Sequence, residues 1–136
     1  MNPYPSPDPS LPTAISFSGG RTSAYMLAQI IAAHGGTLPD THSVLFMNTG
    51  KEMRETLDFV KRCGDEWGVE IVWLEYHPDF PNNTKLVDYK TASRHGEPFE
   101  MLIKYKKMLP NPVARFCTQE LKVRQAQNYM LSLIHI

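Results

Sequence analysis

Residues 16–23, Ser-Phe-Ser-Gly-Gly-Arg-Thr-Ser, combine the residue types that favour phosphate or another oxyanion. The adjacent Gly19 and Gly20 let the backbone turn tightly and approach a ligand, and we expect Gly20 to need a positive φ. Around these glycines, Ser18, Thr22 and Ser23 add hydroxyl donors and Arg21 adds a cation. This pattern predicts an anion-binding loop.

The runs on either side of this loop predict a strand, a turn and a helix. Residues 14–17 are mostly apolar, and residues 24–33 show helical apolar spacing. The start of such a helix directs free N–H groups and a positive dipole end at the turn. The alternative is an ordinary β–α turn with a Ser or Thr N-cap. The loop lacks the Gly-Lys-Ser/Thr ending of Walker A and the third glycine of the dinucleotide motif.

The rest of the chain alternates between strand and helix patterns. Predicted strands are residues 13–18, 43–47 and 70–75. Predicted helices are residues 22–34, ended by Gly35-Gly36, and residues 52–67, 99–108 and 119–130. The polar residues 77–98 are predicted to form one long loop. Strands separated by helices imply an α/β fold with a parallel sheet in the order 3-2-1 and helices on both faces.

Composition restricts the domain count and the partners. The 136 residues suffice for one domain at most, and the formal net charge is zero. A neutral chain has no long-range field for nucleic acid or membranes. Binding of nucleic acid would need a local basic patch, and a charge cluster the size of the best candidate is usually just a solvated face: Lys104, Lys106, Lys107 and Arg115. Cys63 and Cys117 have no zinc spacing, and a reduced, cytoplasmic protein is the simplest interpretation. No apolar run is long enough to predict a membrane segment.

Both ends of the chain are expected to lie outside the folded unit. Five prolines fall within residues 1–12, which we interpret as a disordered lead-in without signal-peptide features. Residues 131–136, Leu-Ser-Leu-Ile-His-Ile, resemble the translation of a common sequencing adapter. We therefore expect a C-terminally incomplete domain over residues 13–130, followed by an artefactual hexapeptide that makes few contacts.

Three segments resemble the phosphoadenosine phosphosulfate (PAPS) reductase family within the PP-loop superfamily of adenine nucleotide α-hydrolases. Residues 18–23 resemble the SGGxxS loop of the superfamily. Residues 48–50, Asn-Thr-Gly, followed by Glu55-Thr56 and Phe59, resemble the DTG…ET..F segment of the reductases. Residues 115–118, followed by Lys122-Val123, resemble their CCxxxKVxP segment. The segments occur in family order and span most of the chain, which implies a PP-loop fold.

The chain departs from the family patterns at several positions. Thr22 stands where many members carry Asp, so no metal role is expected there. Asn48 replaces the Asp of DTG, and Gln125 stands at the usual proline. Cys117-Thr118 replaces a cysteine pair, so no iron–sulfur cluster is expected. The C-terminal Glu-Cys-Gly motif is absent from the sequence, and the catalytic residue is therefore unknown.

The resemblance implies an adenine nucleotide, PAPS or ATP, as substrate, with no tightly bound cofactor. The loop residues would hold its sulfate or phosphate, whereas Asn48, Thr49 and Gly50 would contact the adenine or ribose unless they form only a local Asx turn. Arg115 and Lys122 would add phosphate-binding cations. The alternative is that they only flank the N-terminus of a helix and lie on its solvated face. The helix dipole explains Glu52 and Glu55.

Three functions fit these features. The first is a PAPS reductase-like enzyme that reduces an adenylyl-linked sulfate with a thiol donor, which would be a reductant protein. The second is a PP-loop ATP pyrophosphatase or sulfurtransferase that adenylates a substrate. The third is a nucleotide-binding module or fragment without catalysis. The segments at 48–50 and 115–123 favour the first function over the second.

Overall fold

The computed structural model describes residues 12–106 and 119–134. Four strands form one sheet in the order β1-β2-β3-β4, with bounds Thr13–Ser16, His42–Met47, Ile71–Tyr76 and Thr84–Val87. β1 and β2 are parallel, as are β2 and β3, whereas β4 is antiparallel to β3. The predicted α/β class, the parallel sheet and the order of its first three strands are therefore confirmed.

The helices of the described residues lie close to the predicted ranges. Their bounds are α1 Arg21–Ala33, α2 Arg54–Trp67, α3 Glu97–Lys106 and α4 Arg124–Ile134. A π-helical turn, Gln119–Val123, directly precedes α4. In α2, Leu57, Val60 and Cys63 are buried at the three-residue spacing that gives a helix one apolar face. None of these helices is long and apolar enough to cross a membrane.

The two faces of the sheet are covered by different helices. On one face, the register aligns Ile15 with Val44, and buried side chains of α1 and α2, including Leu27 and Val60, complete the main core. On the other face, Tyr76 packs with Leu102 of α3 and Leu121 of the π-helical turn. α4 also lies against the strands. Helices on both faces are thus confirmed, and the carboxyl ends of β1, β2 and β3 meet at one edge of the sheet.

The prediction of a single long loop over residues 77–98 is wrong. A 3-10 turn, Pro81–Asn83, leads into β4, and α3 already begins at Glu97. Asn82 and Asn83 both have φ of 57°, and His77 N donates to Asn83 O at 3.0 Å, which closes a hairpin. Proline and asparagine therefore mark the turn between two strands here, because asparagine tolerates the left-handed conformation better than most residues.

The predicted element ends differ from the structure by a few residues. β1 ends at Ser16 rather than at residue 18, and α2 begins at Arg54 rather than at residue 52. The helix predicted to end at residue 130 continues to Ile134, so residues 131–134 are helical. Leu131 and Ser132 are exposed on this last turn. The interpretation of residues 131–136 as an artefact stays a prediction.

Candidate functional site

The glycine loop joins β1 to α1 at the carboxyl edge of the sheet. Phe17 N donates to Leu45 O at 2.9 Å, which extends the pairing with β2 to the start of the loop. Ser18 N donates to Ser23 Oγ at 3.1 Å, and the two hydroxyl oxygens lie 3.0 Å apart. The Ser23 hydroxyl therefore holds the loop to the first turn of α1, while the Ser18 side chain stays exposed.

Gly19, not Gly20, is the glycine that needs a positive φ. Gly19 has φ of 84°, and a Cβ there would lie 2.7 Å from Thr56 Cγ2 and 3.0 Å from Val60 Cγ2 of α2. Gly20 has φ of −92°, and a Cβ would meet only Ser18 Oγ, at 3.8 Å. The expectation for Gly20 was wrong because the sequence does not show which of two adjacent glycines packs against a neighbouring helix.

The start of α1 offers backbone donors at this loop. Gly20 is the N-cap residue, and no side chain caps the helix. The first backbone bond into the helix runs from Ala24 N to Gly20 O at 3.0 Å. The N–H groups of the first helical residues precede that bond and have no intrahelical acceptor. Arg21 and Thr22 are exposed beside them, so the surroundings are those of an anion site.

The turn after β2 is held by a buried hydrogen-bond network. Asn48 has 0% exposure, and its Nδ2 donates to Glu75 Oε2 at 2.7 Å and to Ser93 O at 2.9 Å. Gly50 N donates to Asn48 Oδ1 at 3.1 Å, which is an Asx-type turn. The structure therefore shows the Asx turn, and contact of residues 48–50 with a ligand stays a prediction. Asn48 directs all its side-chain hydrogen bonds into the protein, and Thr49 is the member with a partly exposed side chain.

A cavity of about 420 Å³ opens where β1 and β2 end. Its wall is largely apolar, with five polar or charged side chains among the lining residues: Ser16, Phe17, Ser18, Met47, Glu52, Lys122, Val123, Ala126 and Gln127. Ser18 comes from the glycine loop and Lys122 from the π-helical turn, which the sequence separates by about a hundred residues. The fold thus brings two separately predicted site residues to one cavity.

A second cavity, of about 470 Å³, adjoins the first at Glu52 and is lined also by Arg54, Leu57, Tyr89 and Arg94. Arg94 donates from Nη2 to Tyr89 O at 2.7 Å, and its guanidinium lies 4.8 Å from the Tyr89 ring centroid. Tyr89 OH donates to Asp58 Oδ1 of α2. These contacts hold one arginine in place next to the exposed Arg54.

A further cavity, of about 570 Å³, lies at the opposite, amino edge of the sheet and is lined by His42, Glu70 and Tyr129 among others. His42 is 8% exposed, and its Nε2 makes no hydrogen bond within the described residues. Burial, and then the nearby His34, lower the pKa of His42 below its usual 6.5. Burial, and then the Glu70 charge, raise the pKa of Tyr129. The surroundings of His42 and Tyr129 thus favour the uncharged form of each.

A family model for the phosphoadenosine phosphosulfate reductase domain matches residues 12–112. The chain belongs to this family. A relative in Escherichia phage lambda, described as an uncharacterized nin region protein ORF290, is 34% identical over 116 residues. That alignment covers 80% of this chain and 39% of the relative, so the chain spans well under half of the relative's length.

Two of the three predicted PAPS reductase segments lie within the matched residues, and the third does not. Residues 18–23 and 48–50 fall inside 12–112, whereas Lys122 follows it. Arg115 and Cys117 lie outside the described residues. The same holds for Lys107 of the possible basic patch, while Lys104 and Lys106 are exposed on α3.

Sequence reasoning missed two acidic residues of the site in this PAPS reductase-family chain. Glu52 lines both cavities at the carboxyl edge, although the helix dipole had seemed a sufficient reason for it. Glu75 is 2% exposed and accepts hydrogen bonds from Asn48 and Ser93. A glutamate at the end of the apolar strand Ile-Val-Trp-Leu-Glu-Tyr was the available signal, since carboxylates are seldom buried without partners.

Proposed function

We propose that this chain is the nucleotide-binding part of a PAPS reductase-like enzyme, which binds an adenylyl sulfate nucleotide and reduces it with a thiol donor. One observation carries the proposal. Ser18 and Lys122 line one cavity at the carboxyl ends of β1 and β2. Open α/β sheets bind ligands outside the carboxyl ends of their strands.

In this proposal the glycine loop receives the sulfate or phosphate end of the nucleotide. The uncapped N–H groups at the start of α1 and the exposed hydroxyls of Ser18 and Thr22 are the donors. Lys122 adds a positive charge at the cavity. A lysine acts on phosphate as a point charge, so it can support an oxyanion without a fixed fork of donors.

The apolar part of the cavity is proposed to receive the adenine ring. Phe17, Met47 and Val123 provide apolar surface of the kind that lines small-molecule pockets. Glu52 and Gln127 are acceptors at the same cavity for ligand hydroxyl or amino groups. Among residues 48–50, Thr49 is the residue we assign to the ligand, because the Asn48 side chain is buried.

The reduction itself is assigned to the whole protein rather than to named residues of this chain. Reduction of sulfate to sulfite takes two electrons, which two thiols supply when they form a disulfide. Cys63 is a free cysteine on the buried face of α2, and burial raises the pKa of its thiol, so we do not assign it this role. We expect the thiols to come from a reductant protein or from another part of the polypeptide.

Calorimetric titration of the protein with PAPS, adenosine 3′,5′-bisphosphate and ATP tests the nucleotide site. We expect the two 3′-phosphorylated nucleotides to bind more tightly than ATP. A preference for ATP would favour the alternative of an ATP pyrophosphatase or sulfurtransferase. If none of the three nucleotides binds, the proposed function is wrong.

Gly20→Val is the sharpest variant for locating that site. The backbone at Gly20 is extended and a Cβ there meets no close neighbour, so valine is expected to leave the fold intact. Its side chain would fill the space beside Ser18, where the backbone must approach the ligand, and we expect it to block nucleotide binding. Ser18→Ala should have a smaller effect, roughly 1–3 kcal/mol, because it removes one hydrogen bond.

Ala32→Val is the matched control, since it places the same valine side chain at an exposed position near the other end of α1. It should leave nucleotide affinity unchanged. Tight nucleotide binding that Gly20→Val does not alter would place the site elsewhere on the protein.

A further inference from the structure

Glu75 lies at the carboxyl end of β3 and is almost completely buried. Its carboxylate accepts three hydrogen bonds: from Asn48 Nδ2 at 2.7 Å, from Ser93 N at 2.6 Å and from Ser93 Oγ at 2.7 Å. A buried carboxylate is tolerated when its oxygens are satisfied by donors in this way. The proposed binding of a nucleotide does not by itself account for this group.

The three hydrogen bonds tie together two segments that are distant in sequence. One is the Asx turn that begins at Asn48, and the other is the segment that begins at Ser93. The segments also meet directly, because Gly96 N donates to Gly50 O at 2.9 Å. A Cβ on Gly50 would lie 2.8 Å from Gly96 Cα, so the two backbones are in contact. Glu75 lies beneath this junction.

Both segments carry residues that reach the cavities at the carboxyl edge. Thr49 Oγ1 accepts from Lys51 N at 3.2 Å and lies 3.5 Å from Glu52 Oε1, to which it donates. Glu52 lines both cavities, and Arg94, next to Ser93, lines the second. The placement of Glu52 and Arg94 therefore depends on how the two segments are held.

We propose that Glu75 is a positioning residue of the nucleotide site, which fixes the Asn48 turn and the Ser93 segment against each other and thereby orients Thr49, Glu52 and Arg94 toward the ligand. This inference rests on the proposed function. Glu75 is not among the residues that line the two cavities. It acts through Asn48 and Ser93.

Replacement of Glu75 by Ala and by Gln tests the proposal. Alanine removes all three acceptors, and we expect nucleotide affinity to fall about 10-fold or more. A glutamine carbonyl can accept from Asn48 Nδ2 and Ser93 N, and its amide can donate to Ser93 Oγ after the hydroxyl turns. We therefore expect Glu75→Gln to restore most of the affinity, within about 3-fold of the unaltered protein.

Val44→Ala is the control for a loss of stability alone, because Val44 is buried in β2 away from the network. At a matched distance below the unfolding midpoint it should bind nucleotide normally. Amide hydrogen exchange gives a second readout, since the N–H groups of Gly50 and Gly96 should exchange faster in Glu75→Ala and not in Val44→Ala. If Glu75→Ala does not fold, Ser93→Ala removes one donor and should show the same changes at smaller size.

The outcomes separate the two proposals. If the unaltered protein binds nucleotide and Glu75→Ala binds it equally well, the positioning role is overturned and the proposed function stands. Equal loss of affinity in Val44→Ala and Glu75→Ala would also overturn it. If the unaltered protein binds no adenine nucleotide, the proposed function falls and the positioning role falls with it.

Discussion

Buried polar side chains are hydrogen-bonded differently at the two edges of the sheet. At the carboxyl edge, Asn48 and Glu75 are buried and joined to each other and to Ser93 by hydrogen bonds. At the amino edge, His42 is buried while its Nε2 has no partner within the described residues. The larger cavity is nevertheless at the amino edge. The carboxyl edge, where we propose the site, is thus distinguished by its hydrogen-bond network and not by the size of its cavity.

The largest expected effect comes from Asn48→Asp, which restores the residue type of the family pattern. It would place two carboxylates about 2.7 Å apart in a buried site and set an acceptor against Ser93 O. We expect a loss of unfolding free energy on the order of 3 kcal/mol or more at neutral pH, because a buried charge would lack a partner. Urea unfolding of the variant and of the unaltered protein measures this difference in unfolding free energy.

Asn48→Asp combined with Glu75→Gln is the matched control for that prediction. The double variant holds one carboxylate instead of two, so it should recover part of the lost stability. An Asn48→Asp protein as stable as the unaltered one would mean that the network is not what holds the carboxyl edge.

A middle-sized effect is expected from Gly19→Ala. The positive φ of Gly19 and the closeness of Thr56 Cγ2 should together cost roughly 1–3 kcal/mol. Gly20→Ala, one residue on, has an extended backbone and open space and should change stability by less than about 0.5 kcal/mol. Thermal unfolding of both variants compares them directly, and equal losses would contradict the assigned loop geometry.

The smallest effect concerns the pH dependence of stability at the amino edge. Since burial lowers the pKa of His42 in the folded state below 6.5, the unfolded chain takes up its proton first as the pH falls. The contribution of neutral His42 to the free energy of unfolding is therefore fully present above about pH 6.5. It declines as the pH drops toward the folded-state pKa. His42→Phe should flatten this decline in unfolding free energy, and an unchanged pH profile would contradict the assignment.

The main features of the fold were predictable because they rest on local patterns. Apolar runs such as Val44, Leu45 and Phe46 predicted a buried parallel strand, and the spacing of Leu57, Val60 and Cys63 predicted α2. β4 was missed because four residues at a sheet edge, with exposed Leu86, give little signal beside a proline- and asparagine-rich turn. Edge strands owe their formation to a partner more than to their own sequence.

The candidate site was predictable only in part, for a related reason. The glycine loop and the turn at Asn48 are contiguous motifs, so their residues could be named. The contacts of Glu75 with Ser93, and the approach of α2 to Gly19, join residues far apart in the chain. No local pattern encodes such distances. The sequence therefore indicated which residues could bind a ligand. It did not show that the Asn48 side chain already makes its hydrogen bonds within the protein.

The bond from Asn48 Nδ2 to Ser93 O spans 45 residues. During synthesis on a ribosome, the turn after β2 leaves the exit tunnel well before the segment that completes its hydrogen bonds. Contacts of such long range also form late in refolding, since closing the chain between them costs entropy first. We therefore expect the Asn48 turn to take its final shape late in folding, so that a bound nucleotide would stabilise the folded protein without guiding the early steps.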